Sequence, residues 1–122
     1  MKFVEYNPVD EKGSCVVRTF TKLLDKDFYI VKKELLQLAK ELGYEDYREI
    51  AVFEKYMSNN NYEKITIKVK NTDNLKLKKG KYVVFCKNGN EYHMFPIIDD
   101  VIYDKNKKCF GQTIISIYKK IK

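Results

Sequence analysis

The chain has 122 residues, 44% of them apolar, which fits one domain spanning 1–122 with a modest core and excludes a two-domain enzyme. Lys and Arg number 24 against 17 Asp and Glu, leaving +7, but only Arg18 and Arg48 are arginines, and scattered lysine is weak support for phosphate or guanine recognition. Three cysteines without a Cys-x-x-Cys pair fit neither a disulfide framework nor a zinc site. With no signal peptide and no apolar run long enough to span a bilayer, the expectation is a reduced, cytoplasmic protein that stays off the membrane and needs no metal or other cofactor.

Lys2 to Tyr6 reads as a short extended lead, and Asn7, Pro8, Asp10 and Gly13 mark a turn-rich loop. Ser14 is a good N-cap for a first helix, whose stripe is Val16, Val17, Phe20, Leu23 and Leu24 up to about Asp25. Asp27 caps a second helix with Phe28, Val31, Leu35, Leu38, Ala39 and Leu42 on its inner face, and Gly43 stops it. A third is expected from a cap at Asp46, with Ile50, Phe53, Tyr56 and Met57 inward, ending in the run Ser58 to Asn61.

The period then changes to two. Ile65, Ile67 and Val69 alternate with polar residues and predict a half-buried antiparallel strand, and lysine-rich Asn71 to Gly80 reads as a solvated loop. Tyr82 to Lys87 and Glu91 to Ile98 predict a hairpin turning at Asn88 and Gly89, which sets Val84 opposite His93 and Cys86 beside it on the same face. Val101 to Asp104 follows over a tight Asp99-Asp100 corner, and Thr113 to Tyr118 is a last strand. Helices first and strands second make α+β the expected class, with helices packed on a C-terminal antiparallel sheet.

His93 is the only histidine, so any Cys/His chemistry must use it. Cys15 falls in the first turn of the first helix, where unpaired N–H groups and the helix dipole stabilise a thiolate. It lies roughly 140° from the centre of that helix's apolar stripe, which argues against a core role. A turn at Asp99-Asp100 pairs Ile98 with Val101, Ile97 with Ile102, Phe95 with Asp104 and His93 with Asn106, so both Asp104 and Asn106 come within side-chain reach of His93. Cys86, inside an apolar run, lacks anything to lower its pKa and reads as core. Cys109, among Lys105, Lys107 and Lys108, reads as a thiol open to oxidation.

The order Tyr6-Asn7-Pro8, Gly13-Ser14-Cys15-Val16-Val17-Arg18, a helix pair, then His93 and Asp99-Asp100-Val101-Ile102-Tyr103-Asp104 resembles the small papain-like cysteine peptidases of Firmicutes bacteria and their phages. Their usual pattern is an Asn-Pro loop, Gly-Asp-Cys-Val-Val-Arg, then His, a hydrophobic strand, Asp-Gly and Tyr-Asp. Here Ser14 stands for the Asp and Asp100 for the turn glycine, His93 follows Tyr92 rather than a small residue, and Pro96 interrupts the strand after His93, which suggests an edge or a bulge. The resemblance implies a papain-like fold with Cys15 as nucleophile, His93 as general base, Asp104 as the acid that orients it, and Asn7 as oxyanion donor beside the Cys15 N–H.

The leading expectation is therefore a thiol hydrolase, a peptidase or isopeptidase acting on a protein or peptide substrate. The second is a catalytically silent member of the same fold that binds a host or phage protein. Nucleic acid is the least favoured partner, because the lysines at 64, 68, 70, 76, 78, 79 and 81 include many that alternate with apolar positions, as on a solvated sheet face.

Overall fold

In the computed structural model, which describes residues 1–121, three helices pack on a six-stranded mixed sheet. The helices are α1 (Cys15–Leu24), α2 (Phe28–Leu42) and α3 (Ile50–Asn59). Asp27 caps α2 by accepting from the N–H groups of Tyr29 and Ile30, and Gly43 ends it at φ +82°. Ser14 stands at the N-cap of α1 and its carbonyl accepts from Arg18, but its hydroxyl donates to the Glu11 carbonyl at 2.6 Å and caps nothing. The first-turn N–H groups of α1 are left open in consequence. Asp46 does not cap α3, which begins after Glu49, because its carboxylate is taken by the backbone and guanidinium of Arg48 two residues on.

The strands are β1 (Lys2–Glu5), β2 (Tyr62–Ile65), β3 (Lys81–Asn88), β4 (Glu91–Ile98), β5 (Val101–Asp104) and β6 (Thr113–Lys120), in the order β1-β5-β4-β3-β6-β2. The sheet is not wholly antiparallel as the sequence suggested, since the extended lead joins it as β1, parallel to β5. The strand expected through Val69 stops at Ile65. Beyond it the chain bulges away from β6, bridges to it again between Asn71 and Thr113, and then covers the face of the sheet away from the helices, where Ile67, Leu75 and Leu77 pack in a cluster with Tyr82, Val84, Phe95 and Ile117. The lysine-rich connection is thus a cover for the second face rather than a free loop. A short 3-10 turn at Thr72–Asn74 pins it, with Asp73 and Thr72 accepting from the N–H groups of Gly111 and Gln112.

Both faces of β3 are therefore core. Val83 and Phe85 meet Val17, Phe20, Phe53 and Met57 from the helices, while Tyr82, Val84 and Cys86 point into the second cluster. That is why Tyr82 to Cys86 reads as an unbroken apolar run.

Two connections set the site. The β3–β4 hairpin turns at Gly89-Asn90 rather than Asn88-Gly89, so Cys86, not Val84, lies directly opposite His93. Glycine takes the first turn position at φ +61°, as in type II′ turns, and the register moves by two. The β4–β5 corner at Asp99-Asp100 forms as expected, with Ile98 paired to Val101 and Ile97 to Ile102, and both aspartates at positive φ, +47° and +68°. Pro96 is neither on an edge strand nor at a bulge in the β3–β4 ladder, where it pairs with Val83. Pairing with β5 ends at Ile97, next to the residue that has no N–H to offer, and β4 is free of β5 from there towards His93.

Candidate active site

The first turn of α1 faces the freed part of β4. Cys15 is half-buried and lines the same two clefts as His93, and its thiol feels the His93 ring and the backbone N–H of Met94, a residue outside the β4–β5 pairing. His93 donates from Nε2 to Asp104 Oδ2 at 2.6 Å, so the nitrogen left for the sulfur is Nδ1. Asp104 is fully buried at the end of β5 and is held by two more donors on Oδ1, Arg18 Nη2 at 3.0 Å and the Lys105 N–H at 2.8 Å. Its own carbonyl accepts from Tyr6 at the end of β1 at 2.8 Å. Cys15, His93 and Asp104 thus stand in succession from α1 through β4 to β5, the first two on shared clefts and the last two hydrogen-bonded.

Arg18 is the residue that sequence reasoning did not assign. It lies three positions after Cys15, one turn along α1, with a side chain only 6% exposed, and its ion pair with Asp104 is buried on both sides. One signal was available. It is one of two arginines in a lysine-rich chain, set between Val17 and Phe20 of the apolar stripe, and planar guanidinium suits a buried carboxylate better than ammonium.

Electrostatics poise the pair. Burial resists ionisation of Cys15, but the hydrogen bond and charge of His93, the Met94 N–H and the Arg18 charge outweigh it, and the thiol lies below its ordinary value. Burial likewise opposes the charged form of His93, yet the hydrogen bonds and charges of Asp104 and Cys15 lift it to about 9. Both shifts run in the direction of thiolate and imidazolium.

The other thiols are inert by the same measure. Cys86 is completely buried with its sulfur 3.5 Å from the His93 carbonyl oxygen, and burial, with the Asp104 charge, pushes it up to about 12. Cys109 is not the oxidisable loop thiol expected from its lysine neighbours. It is completely buried in the second core, and burial pushes it too up to about 12.

Asn106 does not hold His93, since its side chain accepts from the Lys108 N–H at 3.0 Å and caps the short 3-10 turn at Lys107–Cys109. Asn7 is engaged within its own loop. Its Nδ2 donates to Asp10 at 3.4 Å, and it lines neither of the two clefts that open on Cys15. The Cys15 N–H, in the uncapped turn of α1, is the donor that the fold supplies there.

Those clefts, about 350 and 330 Å³, share Cys15, Tyr92 and His93. Tyr92 stands 62% exposed between them, stacked on Phe85. Among the described residues no group of His, Cys, Asp and Glu is placed to hold a metal ion, and no helix is long and apolar enough to cross a membrane. No family model, no curated protein and no solved structure matches the chain.

Proposed function

We propose that this chain is a small papain-like thiol hydrolase, a peptidase or isopeptidase that cleaves amide bonds through Cys15, His93 and Asp104. The observation that carries the reading is the alignment itself: a thiol at an open helix N-terminus, sharing two clefts with an imidazole whose Nε2 is held by a buried, triply anchored carboxylate.

The chemistry follows from the positions. The Cys15 thiolate attacks the amide carbonyl carbon, and the oxygen's developing charge faces the Cys15 N–H and the positive end of α1. Protonated His93 delivers its Nδ1 proton to the leaving nitrogen, the C–N bond breaks and the amine departs, leaving a thioester on Cys15. Water then attacks the thioester, giving its proton to His93, and the C–S bond breaks to release the acid and restore the thiolate–imidazolium pair. Asp104 keeps its charge throughout and fixes the ring so that Nδ1 faces the sulfur.

The test is trapping of the acyl-enzyme. Incubation with an activated ester such as p-nitrophenyl acetate, acid quench and peptide mass mapping should place the acetyl group on Cys15 alone, and Cys15→Ala should remove the burst. Acylation spread equally over the three cysteines, or none at Cys15, would overturn the proposal.

A further inference from the structure

The two clefts that meet at the Cys15–His93 pair differ in chemistry. One is apolar, walled by Val16, Ile50, Phe53, Phe85 and Tyr92, with Arg48 and Glu49 at its rim. Ile50 is 47% exposed there although it opens α3, and the exposed Tyr92 ring extends the same wall. Arg48 is neutralised by its bidentate pair with Asp46.

The other cleft is basic, lined by Lys12, Arg18, Lys105, Asn106 and Lys108, with Glu11 as its only carboxylate. Most of these charges are already matched. Glu11 pairs with Lys32 at 2.8 Å, Lys105 with Asp10 at 3.2 Å and Arg18 with Asp104 at 3.0 Å. Lys12 and Lys108 have no ion-pair partner among the described residues. Two uncompensated ammonium groups therefore face one end of the cleft, and an apolar wall faces the other.

We infer that the substrate is a peptide segment with a bulky apolar residue on one side of the scissile amide and an acidic residue on the other, the first against Ile50, Phe53 and Phe85, the second between Lys12 and Lys108. The inference rests on the hydrolase reading and deepens it. An acidic side chain meets two lysines that hold no ion pair of their own, whereas a lysine in its place adds a third cation. A bulky apolar side chain covers the Ile50 surface that otherwise stands in water.

The experiment uses the full chain and four internally quenched peptides of one frame, with Leu or Ser on one side of the cleaved bond and Glu or Lys on the other, made in both orientations. In one orientation the Leu/Glu peptide should exceed the Leu/Lys peptide about tenfold in kcat/KM, a preference that shrinks at high salt. A Lys12→Glu/Lys108→Glu variant should reverse the Glu-over-Lys order, and Ile50→Asp should abolish the Leu-over-Ser order while leaving the charge preference. Because each readout is a ratio within one variant, a change in the amount of folded protein does not imitate it. Turnover that ignores Glu against Lys in both orientations would overturn the inference and leave the hydrolase standing. No turnover of any peptide, together with no ester acylation of Cys15, would overturn the hydrolase itself.

Discussion

Replacing His93 with Ala gives the sharpest test of how Cys15 is activated, because the effect is set by pH and not only by packing. Without the imidazole, desolvation of the sulfur is opposed only by the Met94 N–H and the Arg18 charge, and the thiol returns towards its ordinary 9.0. A thiol at that value is about 1% ionised at pH 7, which sets a ceiling of about a hundredfold on the loss. A more basic thiolate is also the better nucleophile, with a Brønsted slope near 0.4–0.5, so the loss of alkylation rate at pH 7 should be real but stay well below that ceiling. By pH 10 the variant is mostly thiolate and should equal or overtake the parent. The assay is the iodoacetamide rate at Cys15, read by mass spectrometry from pH 5 to 10, with buried Cys86 and Cys109 as slow internal references. Parallel curves at every pH, or equal rates at pH 7, would refute the ion-pair account.

Amide hydrolysis needs the imidazolium to protonate the leaving nitrogen, so its pH profile should fall on the alkaline side near 9, where His93 loses its proton. Asp104→Asn should move that limb to lower pH, since the hydrogen bond and charge of Asp104 raise His93; an unmoved limb would count against Asp104 as its partner. The same upward shift of His93 has a folding consequence: its stabilising share is full below pH 6.5 and is lost as pH rises through about 9, so the urea midpoint of the parent should decline over that interval more than that of His93→Ala. Arg18→Met leaves the Asp104 charge buried with one donor fewer, and should lower the unfolding free energy by about 3–5 kcal/mol, measured by urea titration. Asp100→Gly removes a non-glycine residue from φ +68° and should raise stability by about 0.5–1 kcal/mol in the same titration.

What the sequence made legible was local chemistry. Asp27 and Gly43 bracket α2 because a side-chain acceptor and a left-handed glycine satisfy the helix ends whatever surrounds them. The Asp99-Asp100 corner was readable for the same reason, and with it the approach of β5 to His93. Four residues of β1 carry too little pattern to choose a partner, so its parallel pairing to β5 emerges only in three dimensions. The alternation at Ile65, Ile67 and Val69 says that one side is apolar but not whether a strand or a crossing segment buries it. The β3–β4 register slipped because Asn-Gly and Gly-Asn are both good turns two residues of register apart. Within the site, Cys15 and His93 could be named from scarcity and placement, and Asp104 from the family likeness. Arg18 was harder to name, since a charge on an apolar stripe reads as the stripe's boundary until its carboxylate partner, 86 positions away, is seen beside it.

Asp104 joins three parts of the chain that otherwise meet side on: α1 through Arg18, β4 through His93 and β1 through Tyr6. A molecule that seats on the Cys15 sulfur and the His93 ring can bind only while that clasp is closed, so its binding energy adds directly to the melting free energy. At a free concentration one hundred times its dissociation constant the gain is about 2.7 kcal/mol, a shift of about 10 °C in a domain of this size. Thermal-shift screening of peptide aldehydes and acid-tailed peptides can thus search for ligands before any substrate is known. A hit whose shift disappears in Cys15→Ala identifies the thiol as its anchor.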